Sequence, residues 1–176
     1  MLYRSPSGGT FFSQMNLSLD SLLKLAGDHA RRTLVEVKQR SMVPTWLLIS
    51  QNGNVMIVGT PWENDQAKQR VRKLMRAHMK KLGVVAYSFV TEAWQATVEP
   101  EEIDRATMTL FDEMRRPGNR GDREEVVMAC AATATEVKWR TWRIVRQATT
   151  ERIVDLKEKP LGSENPPQGW LCEMLK

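Results

Sequence analysis

The sequence has few of the residues from which metal and catalytic centres are usually built. It contains two cysteines, Cys130 and Cys172, and two histidines, His29 and His78, and each pair is widely separated along the chain. No CxxC spacing and no HExxH pattern occurs, so we expect no zinc site. Gly-rich phosphate loops and nucleophile elbows are also absent. We therefore expect no metal, no cofactor and no catalytic residue.

Long apolar runs are missing as well. No run approaches the roughly 18 apolar residues that a membrane-spanning helix needs. The first residues, MLYRSPSGGTFFSQ, lack the apolar centre of a signal peptide. Cys130 lies in a short apolar run, which is typical of a buried thiol in a reducing compartment. We expect a cytoplasmic protein without membrane contact.

The overall composition is that of an ordinary globular protein. Hydrophobic residues make up 41% and charged residues 27% of the 176 residues, which favours one domain. We place that domain at 15–158, between an N-terminal tail (1–14) and an irregular C-terminal tail (159–176). The formal net charge of +5 permits contact with nucleic acid or another anionic surface, although many basic proteins make neither kind of contact.

The clearest local pattern runs from Thr60 to Val98. Thr60, Pro61 and Glu63 predict a helix that begins with a capping box. Apolar residues recur at helical spacing up to Gly83, where a C-cap is expected. They are Ala67, Val71, Leu74, Met75, His78 and Leu82. The following run, 84–98, is rich in β-branched and aromatic residues and predicts a long strand.

The other elements predict an α+β fold. A first helix is expected over 18–40, where Gly27 suits close packing on a sheet, and Asn52-Gly53 predicts a type I′ hairpin between two strands. A short third helix is expected over 99–116, followed by strands at 125–135, 137–147 and 152–157. Together these elements predict a mostly antiparallel, twisted sheet of five or six strands. In this prediction the two main helices pack on one face, and a short third helix is added.

The predicted central helix is strongly basic. Its candidate binding residues are Lys68, Arg72, Lys73, Arg76 and Lys80. Such residues can contact phosphates, which makes binding dependent on salt. The alternative is a solvated outer face, as amphipathic surface helices often have.

Basic and aromatic residues also alternate along the predicted strand at 137–147. Alternation places Lys138, Arg140, Trp142 and Arg146 on one side of the strand. That side resembles a platform on which unstacked bases can stack. The alternative is structural, with Trp142 covered by the aliphatic stems of the neighbouring basic side chains.

Three carboxylates define a further candidate site. Glu92 is expected in a strand, and Asp122 and Glu125 flank the loop before the next strand. Such carboxylates can bind a divalent metal or act as acid and base in a hydrolase or nuclease. Their spacing is not diagnostic, and ion pairs with Arg120 and Arg123 are the preferred explanation.

Two segments carry a resemblance. Residues 87–94 (YSFVTEAW) and 122–127 (DREEVV) are similar to segments of small bacterial and phage α+β proteins of unknown function. The resemblance implies a bacterial or phage origin and implies no activity.

These observations favour a non-catalytic binding protein that engages a macromolecule through its basic and aromatic surface. A protein partner is our first expectation, because no recognised nucleic-acid motif is present. A nucleic-acid-binding protein and a metal-dependent hydrolase are the alternatives. A homodimer through an exposed strand edge is a further possibility.

Overall fold

The structure is a computed structural model that describes residues 18–95, 123–147, 152–159 and 174–175. The predicted third helix, the N-terminal tail and most of the C-terminal tail lie outside the described residues. The elements in chain order are α1 (Leu19–Arg31), a π-helical segment (Arg32–Glu36), β1 (Thr45–Ser50), β2 (Val55–Gly59), α2 (Asp65–Lys81), β3 (Val84–Gln95), β4 (Glu124–Thr133), β5 (Val137–Arg146) and β6 (Ile153–Glu158).

The six strands form one antiparallel sheet in the order β2-β1-β3-β4-β5-β6. This confirms the predicted α+β class with a mostly antiparallel sheet of five or six strands. The three C-terminal strands follow one another as a meander next to β3, and β2 and β6 lie at the two edges. Every helix among the described residues is too short or too polar to cross a lipid bilayer.

One face of the sheet is covered by α1 and the π-helical segment. The buried side chains of these helices are Leu19, Leu22, Leu23, Ala26, Ala30 and Leu34. They form one apolar cluster with residues from five strands, including Leu47 of β1, Val127 of β4 and Trp142 of β5. We call this side of the sheet the α1 face.

The opposite side of the sheet packs against α2, and we call it the α2 face. Met75 and Met79 of α2 cluster with Trp46 and Leu48 of β1 and with Phe89 of β3. Successive side chains of a strand point to opposite faces, so Trp46 and Leu47 lie on different sides. The expectation that both main helices pack on one face is therefore not confirmed.

The start of α2 differs from the prediction, and the difference has a packing cause. The helix begins at Asp65, and its N-cap is Asn64, whose side chain accepts a hydrogen bond from the Ala67 amide at 2.9 Å. Thr60 does not cap the helix. Its Oγ1 accepts the indole N–H of the buried Trp46 at 2.8 Å, because a buried indole N–H needs an acceptor. The predicted capping box is wrong for this reason.

The β1–β2 hairpin is confirmed, but its turn is not of type I′. That type requires a positive φ at both central residues. Among the residues of this turn only Gly53 has one, at 76°, and its amide donates to the Ser50 carbonyl at 2.9 Å. Asn52 instead accepts a hydrogen bond from the Ser50 hydroxyl at 2.9 Å.

Candidate functional site

The five predicted binding residues of α2 divide into two groups. Lys73, Arg76 and Lys80 are exposed, whereas Lys68 and Arg72 are half-buried. Lys68 and Arg72 share a helical stripe with the buried Met75 and Met79, since the four residues follow at spacings of three and four. The Lys68 ammonium lies 5.8 Å from the centroid of the Trp62 ring. This group therefore contributes to packing as well as to charge.

The solvent side of α2 carries charges that are not balanced by neighbouring carboxylates. Within the described ranges no ion pair forms to Arg70, Lys73, Lys80 or Lys81. All four of these side chains are exposed. The basic surface of α2, defined here by Arg70, Lys73, Lys80 and Lys81, thus keeps its positive potential.

Leu74 lies beside this basic surface on α2. The sequence predicted it in the buried stripe, but 69% of its surface is exposed. The apolar stripe that reaches the sheet runs through Val71, Met75 and Met79 instead. The exposed Leu74 therefore adds an apolar side chain next to the basic surface.

A groove runs along the C-terminal half of α2, between this helix and the residues at the start of β3 and at 174–175. It has a volume of about 670 Å³, and its charged wall is formed by Lys73, Arg76 and Lys80. Its apolar wall contains Met79, Val84, Met174 and Leu175, and Gln51 and Gly83 complete it. Sequence reasoning missed the groove, because Gln51, Val84 and Met174 are brought to α2 only by the tertiary fold.

The predicted binding residues of β5 lie on the α1 face, on the other side of the sheet from α2. Lys138 donates to Asp20 of α1 at 2.6 Å, and this hydrogen bond raises the pKa of Lys138 and lowers that of Asp20. The Arg140 guanidinium lies 3.3 Å from Glu158 and 3.6 Å from Asp20. The charges of this part of β5 are therefore balanced within the fold.

Trp142 does not present an exposed ring. It is 7% exposed and lies beneath α1, where its indole contacts Gly27. Arg146, the fourth predicted residue of β5, binds Glu125 through two hydrogen bonds of 2.6 Å each. The basic segments of α2 and β5 do not form one continuous surface, since the sheet separates them.

Two of the three candidate carboxylates come together on the α1 face. Glu92 of β3 is half-buried and accepts a hydrogen bond from the Met42 amide at 2.5 Å. Burial raises the pKa of Glu92, the nearby Glu125 adds to this effect, and the Met42 amide and Arg146 oppose it. Asp122 lies outside the described residues. No group of three metal-ligating side chains occurs among the residues that are described.

Arg123 and Glu124 are neighbours in the sequence, but each has a different partner in the fold. Arg123 lies over the Trp94 ring, 4.4 Å from its centroid. Glu124 instead interacts with Lys159, at 2.5 Å, and with Arg143, at 3.8 Å. The hydrogen bond from Lys159 lowers the pKa of Glu124. The described carboxylates of this region are thus engaged in structural contacts.

The histidines and the described cysteine show no catalytic arrangement. Burial lowers the pKa of His29, and the adjacent Arg32 has the same effect, so His29 is neutral at pH 7. His78 is half-buried on α2. Cys130 is buried, as the sequence predicted. Cys172 lies outside the described residues.

The two edges of the sheet differ in character. The edge strand β2 has no charged residue, and its Ile57 and Val55 side chains are 58% and 37% exposed. The other edge, β6, carries Asp155, Lys157 and Glu158. Charged residues on an edge strand discourage pairing with another chain. A homodimer through a strand edge stays a prediction, and β2 is the edge that suits it.

Comparison with known proteins adds no relative. A scan against protein-family models, a search of curated proteins and a search of solved structures each give no match. The function of the chain is therefore inferred from its own residues.

Proposed function

We propose that the chain is a non-catalytic binding protein of bacterial or phage type that engages a protein partner through α2. The observation that carries this proposal is the unbalanced charge of the basic surface of α2 beside the exposed Leu74. The equally basic segment of β5 lacks these properties, because Asp20, Glu158 and Glu125 pair with it. We place the protein in the cytoplasm, where the buried thiol of Cys130 would stay reduced.

The exposed leucine favours a protein over a nucleic acid as the partner. Leu74 gains free energy only when another apolar group covers it. A phosphate backbone offers no such group, whereas the centre of a protein interface usually does. Exposed charge next to an exposed apolar side chain also agrees with protein interfaces, which combine polar and apolar residues.

The stacking platform that single-stranded nucleic acid would need receives less support. Trp142 is buried under α1, and Trp62 stacks on Phe89 with ring centroids 5.8 Å apart. Trp94 is 46% exposed, but the Arg123 guanidinium lies over its ring. A nucleic acid remains the second candidate because Lys73 and Lys80 could contact phosphates, and strong salt dependence would be its signature.

The hydrolase alternative also receives less support from the described residues. Glu125 accepts two hydrogen bonds from Arg146, and Glu92 accepts one from the Met42 amide. A general base must reach the proton that it removes. Both carboxylates have structural partners in place of a free position next to a substrate.

The proposal is tested by capture from a bacterial lysate with matched variants. The test variant is Lys73→Glu combined with Lys80→Glu. The control is Arg32→Glu combined with Arg40→Glu, which changes the net charge by the same amount at exposed positions away from α2. We expect a protein that the wild type and the control retain and that the α2 variant loses. Equal retention by all three proteins, or recovery of nucleic acid alone, would overturn the proposal.

A further inference from the structure

The groove beside α2 combines two chemical properties that suggest what occupies it. Lys73 and Lys80 place ammonium groups on one wall, and both are exposed and without an ion pair among the described residues. The two lysines are separated by two helical turns, which is roughly 10 Å at 1.5 Å per residue. The charged wall therefore has the length of a short peptide segment rather than of a single small anion.

The other wall is apolar and adaptable. Met79 and Val84 come from α2 and from the start of β3, and Met174 and Leu175 come from the C-terminal end of the described chain. Met79 and Met174 are buried, whereas Leu175 is half-buried and partly accessible from the groove. Methionine side chains adjust to guests of different shape, and binding grooves for peptides use them for this reason.

We infer that this groove binds an acidic protein segment that carries an apolar side chain between its carboxylates. The inference rests on the proposed function and names the chemistry of the partner. Charge complementarity selects the carboxylates, which lie along Lys73, Arg76 and Lys80. The apolar side chain lies against Leu175 and Val84, where it leaves water.

The apolar wall distinguishes such a segment from a nucleic acid. A phosphate backbone satisfies the lysines but leaves the half-buried Leu175 without a matching apolar group. An acidic segment without an apolar side chain likewise leaves Leu175 uncovered. The groove therefore discriminates between anions by the apolar group that accompanies the charge.

The experiment measures the fluorescence anisotropy of labelled probes with the full chain. The first probe is a peptide with one leucine flanked by glutamates. The second replaces that leucine by serine, and the third is a single-stranded oligonucleotide of equal charge. We expect the leucine peptide to bind at least about tenfold more tightly than the serine peptide, since burying a leucine contributes about 1.5–3 kcal/mol and 1.4 kcal/mol is tenfold.

Matched variants locate the binding to the groove. Lys73→Glu with Lys80→Glu reverses two charges on the groove wall, whereas Arg32→Glu with Arg40→Glu reverses two charges at exposed positions outside α2 and outside the groove. We expect the first pair to abolish binding of the leucine peptide and the second pair to change it by less than threefold, given screening by salt (about 8 Å in physiological buffer). Leu175→Ser should remove the preference for the leucine peptide over the serine peptide.

Three results would overturn the inference. They are failure of the leucine peptide to bind, equal binding of the leucine and serine peptides, and tighter binding of the oligonucleotide than of either peptide. The proposed function fails separately. If a lysate protein is still lost in the Lys73 and Lys80 variant but the leucine peptide does not bind, the proposed function stands and the acidic, apolar segment is rejected.

Discussion

Gly27 of α1 lies directly against the indole of Trp142 on β5. A Cβ atom at residue 27 would lie 2.6 Å from Cζ2 of that indole, closer than real Cβ atoms approach their neighbours. The contact explains a glycine in the middle of a helix, which on its own costs about 1 kcal/mol relative to alanine. It also fixes the distance between α1 and the sheet above β5.

Replacing this glycine by alanine should destabilise the protein. The added methyl group clashes with a buried ring, and overpacking costs about 1–3 kcal/mol against a gain in helix propensity of about 1 kcal/mol. We expect a net loss of about 1 kcal/mol in the free energy of unfolding, measured by urea denaturation. In a Trp142→Phe background the same change should be neutral or stabilising. A loss of equal size in both backgrounds would show that the indole contact is not the cause.

The burial pattern of α2 predicts different outcomes for two apolar residues of this helix. Met79 is 0% exposed, so Met79→Ala should lower the free energy of unfolding by about 2–5 kcal/mol. Leu74 is 69% exposed, so Leu74→Ala should change it by no more than about 0.5 kcal/mol. Chemical denaturation of both variants provides the comparison. A larger loss for Leu74→Ala would mean that α2 packs with the face that the sequence suggested.

Thr60 should matter for the core through its hydroxyl group. Thr60→Val removes the acceptor of the Trp46 indole N–H, and an unsatisfied buried donor costs about 1–3 kcal/mol. Thr60→Ser keeps the hydroxyl and is the matched control, with an expected loss well below that of the valine variant. Thermal or urea unfolding measures both. If the valine variant is as stable as the serine variant, the hydrogen bond is not formed in solution.

The contribution of Glu92 to the free energy of unfolding should decline as the pH rises. Burial raises the pKa of Glu92 above its ordinary value of 4.5, so the folded state binds this proton more tightly than the unfolded state. The contribution of Glu92 is therefore full at pH values below 4.5 and declines as the pH rises through the raised folded pKa. Glu92→Gln keeps the acceptor for the Met42 amide and removes this decline.

We therefore expect Glu92→Gln to increase the free energy of unfolding at pH 7 and to leave it unchanged in acid. Urea denaturation across about pH 4 to pH 8 measures the difference. Glu124→Gln serves as the opposite case. The Lys159 hydrogen bond lowers the pKa of Glu124, so Glu124 stabilises the fold above its unfolded pKa and loses that effect as the pH falls. Identical pH profiles for the two variants would contradict both assignments.

Much of the fold follows from local patterns in the sequence. The order of helices and strands and the hairpin at Gly53 depend on residues that lie near one another in the chain. The sequence also contains a pattern that predicts α1 and α2 on opposite faces of the sheet. The run from Trp46 to Ile49 is apolar at every position, and such a strand is buried on both faces.

The start of α2 and the role of β5 could not be predicted in the same way. Thr60 is a plausible N-cap by sequence. In the fold its hydroxyl accepts the indole N–H of Trp46, which the pairing of β1 with β2 brings close to it. The charges of Lys138 and Arg140 appear free along the strand. Their partner Asp20 comes from α1, more than a hundred residues earlier in the chain. Long-range partners decide these positions, and local spacing carries no information about them.

The central claim is that α2, and not β5, contacts the partner. It is tested most directly by acetylating lysines in the free chain and in its complex with the protein captured from lysate, followed by mass spectrometry. Lys73, Lys80 and Lys138 all have accessible side chains, so each reports on its own surroundings. We predict that Lys73 and Lys80 are protected in the complex while Lys138 and the exposed Lys157 react as in the free chain. Protection of Lys138 with unchanged reactivity of Lys73 and Lys80 would contradict the claim.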